Sequence, residues 1–106
     1  MPTYISLASL TEQGVKDPKS IPGRIEDTRK LFESMGAKLK EVYLVTGQYD
    51  YVVIAEAPND VTAAAAVLSL VSKGNVRTQT FRAFSTAEIK RVAGAIRGTA
   101  ASRRRR

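Results

Sequence analysis

The stretch "TGQYDYVVIAEAPND", residues 46–60, decides how this chain folds. Tyr51 to Ala57 reads as a strand, with Tyr51, Val53, Ala55 and Ala57 pointing one way and Val52, Ile54 and Glu56 the other. A strand with one wet face alternates apolar and polar residues, and this one does so poorly. Both of its faces therefore need a cover. Pro58 ends the strand, and Asn59 or Asp60 can cap a following helix by accepting its free N–H groups.

The neighbouring segments fall into place around it. Tyr4–Leu10 is β-like, and the loop after it is marked by Gly14 and Pro18. In "SIPGRIEDTRKLFESMG", Ile21, Ile25, Leu31, Phe32 and Met35 fall near one helical face. Pro22 suits an early helical position and Gly36 a stop, while Gly23 shifts the expected start of the regular helix to just after itself. "KLKEVYLVTG" alternates as a strand, with Leu39, Tyr43 and Val45 on one side and Lys40, Val42 and Leu44 on the other. Gly47, Gln48 and Tyr49 form a hairpin connection into the strand at Tyr51.

"DVTAAAAVLSLVSKG" is a second helix, with Val61, Ala64, Ala65, Leu68 and Val71 as its expected buried stripe and Gly74 as its stop. "NVRTQTFRAF" is a fourth strand. Ser85 with Glu88 three places on is a capping box, which opens a third helix whose apolar side is Ile89, Val92, Ala93 and Ile96. The order is β-α-β-β-α-β plus a helix, an α+β, ferredoxin-like pattern with an antiparallel four-stranded sheet. Right-handed crossovers put the first and third strands in the centre and both crossover helices on one face. The other face is then covered either by a second copy of the chain or by the C-terminal helix folding back, and the small size of the chain favours the second copy.

Composition excludes several kinds of chemistry. The 106 residues contain no His, Cys or Trp, so the common transition-metal sites, thiolate nucleophiles and His-based triads cannot be built, and no cofactor or metal is expected. The absence of Cys fits a cytoplasmic location. No apolar run approaches a membrane span, and the N-terminus reads as a strand and not as a signal peptide. The net charge of +7 is uneven: from Ser85 onward there are seven basic residues against Glu88 alone, leaving ten bases and nine acids in residues 1–84. Residues 1–97 are read as one domain and 98–106 as a disordered basic tail. Arg103, Arg104, Arg105 and Arg106 could attract polyanions such as nucleic acid weakly and in a salt-dependent way, or serve only solubility.

The candidate ligand-binding residues are Tyr49, Asp50, Glu56, Tyr4, Tyr43 and Tyr51. Turn chemistry alone accounts for Gly47 and Asp50, with Gly47 supplying backbone freedom. The sharper alternative places Tyr49 and Asp50 at the mouth of a cavity between sheet and helices. Glu56, an acid in an apolar strand, is expected to pair with Arg77 or Arg82, to stand exposed at the strand end, or to act as a perturbed catalytic carboxylate. Tyr4, Tyr43 and Tyr51 could share one face, as packing groups or as the walls of an apolar pocket.

"GQYDYVVIAEAPND" and "GNVRTQTFRAF", together with "PTYISLASLTEQG", resemble the GYD-domain family of small bacterial ferredoxin-like proteins from about Pro2 to Arg91. Gly47, Tyr49 and Asp50 carry the hallmark, with Gln48 inserted between. The resemblance implies a dimeric α/β barrel association and no established reaction. Three functions stay open at this point: a non-enzymatic, homo-oligomeric small-molecule-binding or regulatory module, a cofactor-independent enzyme with an apolar cavity, and a nucleic-acid accessory protein acting through its arginines.

Overall fold

The computed structural model describes residues 1–98. Strands β1 (Thr3–Leu10), β2 (Lys38–Leu44), β3 (Tyr51–Glu56) and β4 (Val76–Ala83) form one sheet in the order β2-β3-β1-β4. All three pairings are antiparallel. Helices α1 (Ile21–Ser34) and α2 (Asp60–Val71) make the two crossovers, and α3 (Thr86–Ala95) follows β4. This is the ferredoxin-like arrangement expected from the element order, with β1 and β3 central. Apart from Gly98, the predicted basic tail, including Arg103–Arg106, lies outside the described residues.

Register fixes which side chains share a face. Tyr4 lies opposite Ala55, Ser6 opposite Val53 and Ala8 opposite Tyr51, so these six point to one side. The helices pack there: Phe32 of α1 and Ala66 of α2 are buried with Ala37, Leu39 and Ala57, and Val42, Val53 and Ala55 pack against them. Full burial of a Phe or Leu of this kind contributes about 1.5–3 kcal/mol. The opposite side carries Ile5 beside Ile54 and Leu7 beside Val52, with Phe81 next to Ile5. Phe81 is 48% exposed. Both faces of β3 are thus apolar as its sequence implies, and among the described residues helices cover only the first.

Three local expectations change, and the less favoured cover for the open face is not used. A β-bulge between Leu39 and Glu41 inserts one residue, so Leu39 and Val42 share the helix side while Tyr43 turns to the other. Helix α1 begins at Ile21, before Gly23, because Pro22 is preorganised for the first turn. The buried stripe of α2 is Ala63, Ala66 and Leu70, whereas Val61 is 80% and Leu68 67% exposed. Helix α3 forms as expected but does not fold back over the open sheet face, and its apolar Ile89, Val92 and Ile96 all remain exposed. The expected caps do form: the Asn59 side chain accepts from the Thr62 N–H, and Ser85 and Glu88 cap each other's backbone.

With little packing to hold α3, its cap carries unusual weight. Glu88 accepts from Arg82 at 2.7 Å and from the Ser85 N–H at 2.9 Å. The Arg82 hydrogen bond, then the backbone bond from Ser85, lower its pKa from an ordinary 4.5 to about 2. A depressed folded-state pKa stabilises above the unfolded value and is lost as pH falls through the folded one. The contribution of Glu88 to α3 is therefore complete above pH 4.5 and fades between 4.5 and about 2. The amides of α3 are expected to lose hydrogen-exchange protection over that window, before those of β1 and β3. In Glu88→Gln, α3 should be less protected at neutral pH and should respond less to acid. Equal acid responses in the two proteins would contradict this account of the cap.

Candidate functional site

The central strand explains where the chain leaves space. On its helix-facing side β1 presents Tyr4, Ser6, Ala8 and Leu10, with two small residues in the middle. Across the sheet, Ala8 is flanked by Tyr51 on β3 and Thr78 on β4. Short side chains in the middle of this row, beneath α1 and α2, leave a cavity of about 210 Å³. Its wall is mainly aliphatic and aromatic, including Ile25, Phe32, Leu39 and Val53. Arg24, Asp27 and Lys73 also line it, and because Asp27 and Lys73 are exposed, the cavity reaches solvent.

Tyr51 is the buried polar group of this cavity, at 7% exposure. Among the described residues its hydroxyl has no hydrogen-bond partner. Burial pushes its pKa above the usual phenol value, opposed by the positive charge of Arg24 and supported by the Asp50 carboxylate. At neutral pH it is therefore a protonated donor with no acceptor among the described residues. Arg24 donates from Nε to the Ser20 hydroxyl at 3.0 Å, and from Nη2 to the Gly14 and Asp17 carbonyls, both at 2.9 Å. These bonds fix its guanidinium beside the cavity and leave Nη1 without a partner among the described residues.

The other sequence candidates are elsewhere. Asp50 ties the hairpin to β1: its Oδ2 accepts from the Leu10 N–H at 2.8 Å, and its own N–H donates to the Ala8 carbonyl at 2.9 Å. Tyr49 donates to Gln79 Oε1 at 2.7 Å, at the open-face end of the sheet. Neither lines the cavity. Gly47 has no positive φ and open space where a Cβ would sit, so the backbone freedom expected of it is not used.

Glu56 is on the open face and pairs with Lys40 at 3.9 Å, not with Arg77 or Arg82. The bulge brings Lys40 within reach, while Arg82 lies across the sheet beside Tyr4. Tyr4 donates to Asp60 Oδ1, and that bond, then burial, raises its pKa. The Arg82 guanidinium lies over the rings of Tyr4 and Phe84. Tyr4 is thus a structural tie between β1 and the start of α2. Tyr43, expected to share a face with Tyr4 and Tyr51, is exposed on the opposite side because of the bulge. Of the six candidates, Tyr51 alone lines the main cavity. Sequence reading missed Arg24 and the space above Ser6 and Ala8, for which the pair of small residues on a central strand was the available signal. Among the described residues no cluster of three or more acidic, His or Cys side chains could hold a metal.

A domain of this fold, with its apolar cavity and one uncovered sheet face, matches the GYD domain over residues 4–93, and the chain belongs to that family. A Thermus thermophilus protein described as "Glutamine synthetase and cystathionine beta-lyase binding protein" is 37% identical over 90 residues, which are 84% of this chain and 95% of that one. Two solved structures share the fold. One is a feast or famine regulatory protein from M. tuberculosis complexed with L-methionine, 16% identical with a TM-score of 0.62, matched over 81% of this chain and 52% of that one. The other is the leucine response regulatory protein of Mycobacterium tuberculosis, also 16% identical, with a TM-score of 0.61 over 80% of this chain and 51% of that one. At such identities the likeness concerns the fold alone, and this chain spans about half the length of those regulators.

Proposed function

We propose that this protein is a non-enzymatic regulatory binding module that acts as a homodimer and takes a metabolic enzyme as its partner. The observation that carries the reading is the 37% identity over nearly the whole length of a relative described as binding glutamine synthetase and cystathionine beta-lyase. The site chemistry supports it: the chain has no His or Cys, and Tyr51 is a donor held above its usual pKa, poorly suited to act as a base. The dimer is supported by the open face, where Ile5, Ile54, Leu7 and Val52 lie side by side at the centre of the sheet. Two copies stacked through this patch give an isologous interface and cover both faces of β3. A cytoplasmic location belongs to the same reading, on the ground of the absent cysteines. Among the described residues no helix is long and apolar enough to cross a membrane.

The test uses the full chain, immobilised, with purified glutamine synthetase and cystathionine beta-lyase from the same organism. Saturable retention of at least one of them at about 10 μM, the range of a transient regulatory contact, is expected. Retention of neither would overturn the choice of partner.

A further inference from the structure

We propose that the cavity above Ser6 and Ala8 binds a small monocarboxylate with an apolar body, whose carboxylate accepts a hydrogen bond from the Tyr51 hydroxyl on the Arg24 side. Three observations carry this. The first is the buried phenol of Tyr51, which lines a cavity and has no acceptor among the described residues. Buried polar groups are normally hydrogen-bonded, so a donor of this kind is completed by something that enters. The second is charge: Arg24 and Lys73 line the cavity against Asp27 alone, and Arg24 keeps Nη1 uncommitted while its other bonds fix the guanidinium. An anion with acceptor oxygens answers both groups, because a charge-assisted bond to a carboxylate is stronger than one to a neutral acceptor. The third is size and lining. The volume of about 210 Å³ and walls such as Ile25, Phe32 and Val53 accommodate an apolar body. An apolar cavity of about 150 Å³ holds benzene, so a ring or branched chain with a carboxylate, about ten non-hydrogen atoms in all, fits this one.

The inference is independent of the enzyme partner, since the cavity lies within one chain, on the side of the sheet away from the open face. Phenylacetate is the probe and phenylacetamide its neutral control, each titrated into the ¹⁵N-labelled full chain at neutral pH and followed by NMR. Saturable shifts are expected for the amides of Ala8, Arg24, Tyr51 and Thr78, with those of Leu7 and Ile54 responding less. The amide control should bind about tenfold more weakly, and Tyr51→Phe should weaken phenylacetate binding by a similar factor, the worth of one hydrogen bond to a charged group. Ala8→Leu, which fills the space, should abolish binding. If Ala8→Leu does not fold, Tyr51→Phe still decides the matter, because it removes one oxygen and leaves the packing intact. The proposal is overturned by no saturable shift up to about 10 mM, by equal affinity for acid and amide, or by undiminished binding to Tyr51→Phe.

Discussion

For the proposed homodimer, Ile54→Lys is expected to leave a monomer of 11.5 kDa in ultracentrifugation at micromolar concentration. Ile54 sits on central strand β3 and faces Ile5 across the ladder, within the apolar patch that the helices leave uncovered. In the proposed stacked dimer this patch meets its own copy, so one substitution places two ammonium groups in the middle of the proposed interface. A charge buried there without a partner costs several kcal/mol, enough to lower a micromolar association by at least about a thousandfold. The monomer should keep its fold, because the helix-side core built on Phe32, Leu39 and Ala66 does not include Ile54. Val61→Lys on the exposed stripe of α2 is the matched control and should leave the dimer intact. An Ile54→Lys protein that sediments as a dimer would exclude this face as the interface. A wild-type monomer would exclude the homodimer altogether.

Gly14→Ala is expected to be the most damaging of the single-methyl substitutions at glycine. A Cβ at Gly14 would lie 2.1 Å from the Asn75 carbonyl oxygen and 3.0 Å from its carbon, both backbone atoms. That carbonyl already accepts from the Thr11 N–H at 3.0 Å, and the Thr11 hydroxyl donates to the Gly74 carbonyl at 2.6 Å. Gly74 itself sits at φ +85°, so the turn entering β4 has little freedom to retreat. Relieving the clash must break the clamp between the end of β1 and the start of β4. Overpacking of this kind costs about 3 kcal/mol or more. For a domain of this size that corresponds to a fall in Tm of roughly 10–20 °C. Gly47→Ala, with nothing within 4 Å of the new methyl, should stay within about 0.5 kcal/mol of wild type. Equal melting of the two variants in a calorimetric scan would refute the close approach at Gly14.

The two variants also mark where reading the chain succeeded and where it failed. Gly47 belongs to the family hallmark and drew attention, while Gly14 stood in a plain loop. What makes Gly14 indispensable is Asn75, some sixty positions away, and no local pattern encodes that distance. The polar candidates fared in the same way. Asp50 acts within its own turn and on the neighbouring strand, much as turn chemistry implies. The partner of Glu56 depended on a bulge in another strand, and Lys40 took the place expected of an arginine.

What the sequence by itself determined is local and periodic. The order of elements, the caps at Asn59 and Ser85, the stop at Gly36 and the two apolar faces of β3 all follow from neighbours within a few residues, where backbone sterics, capping hydrogen bonds and the two-residue strand period act directly. The tertiary structure decided the phase. Four consecutive alanines in α2 carry high helix propensity but no directional signal, so packing against Phe32 and Ala57, and not periodicity, selected Ala66 as the inward residue. The bulge after Leu39 reversed the side taken by Tyr43. The cavity arose from what is missing: Ser6 and Ala8 are small at positions where two helices bridge a row closed by Tyr51 and Thr78. A void belongs to all the elements around it at once, so no single segment of the chain contains it.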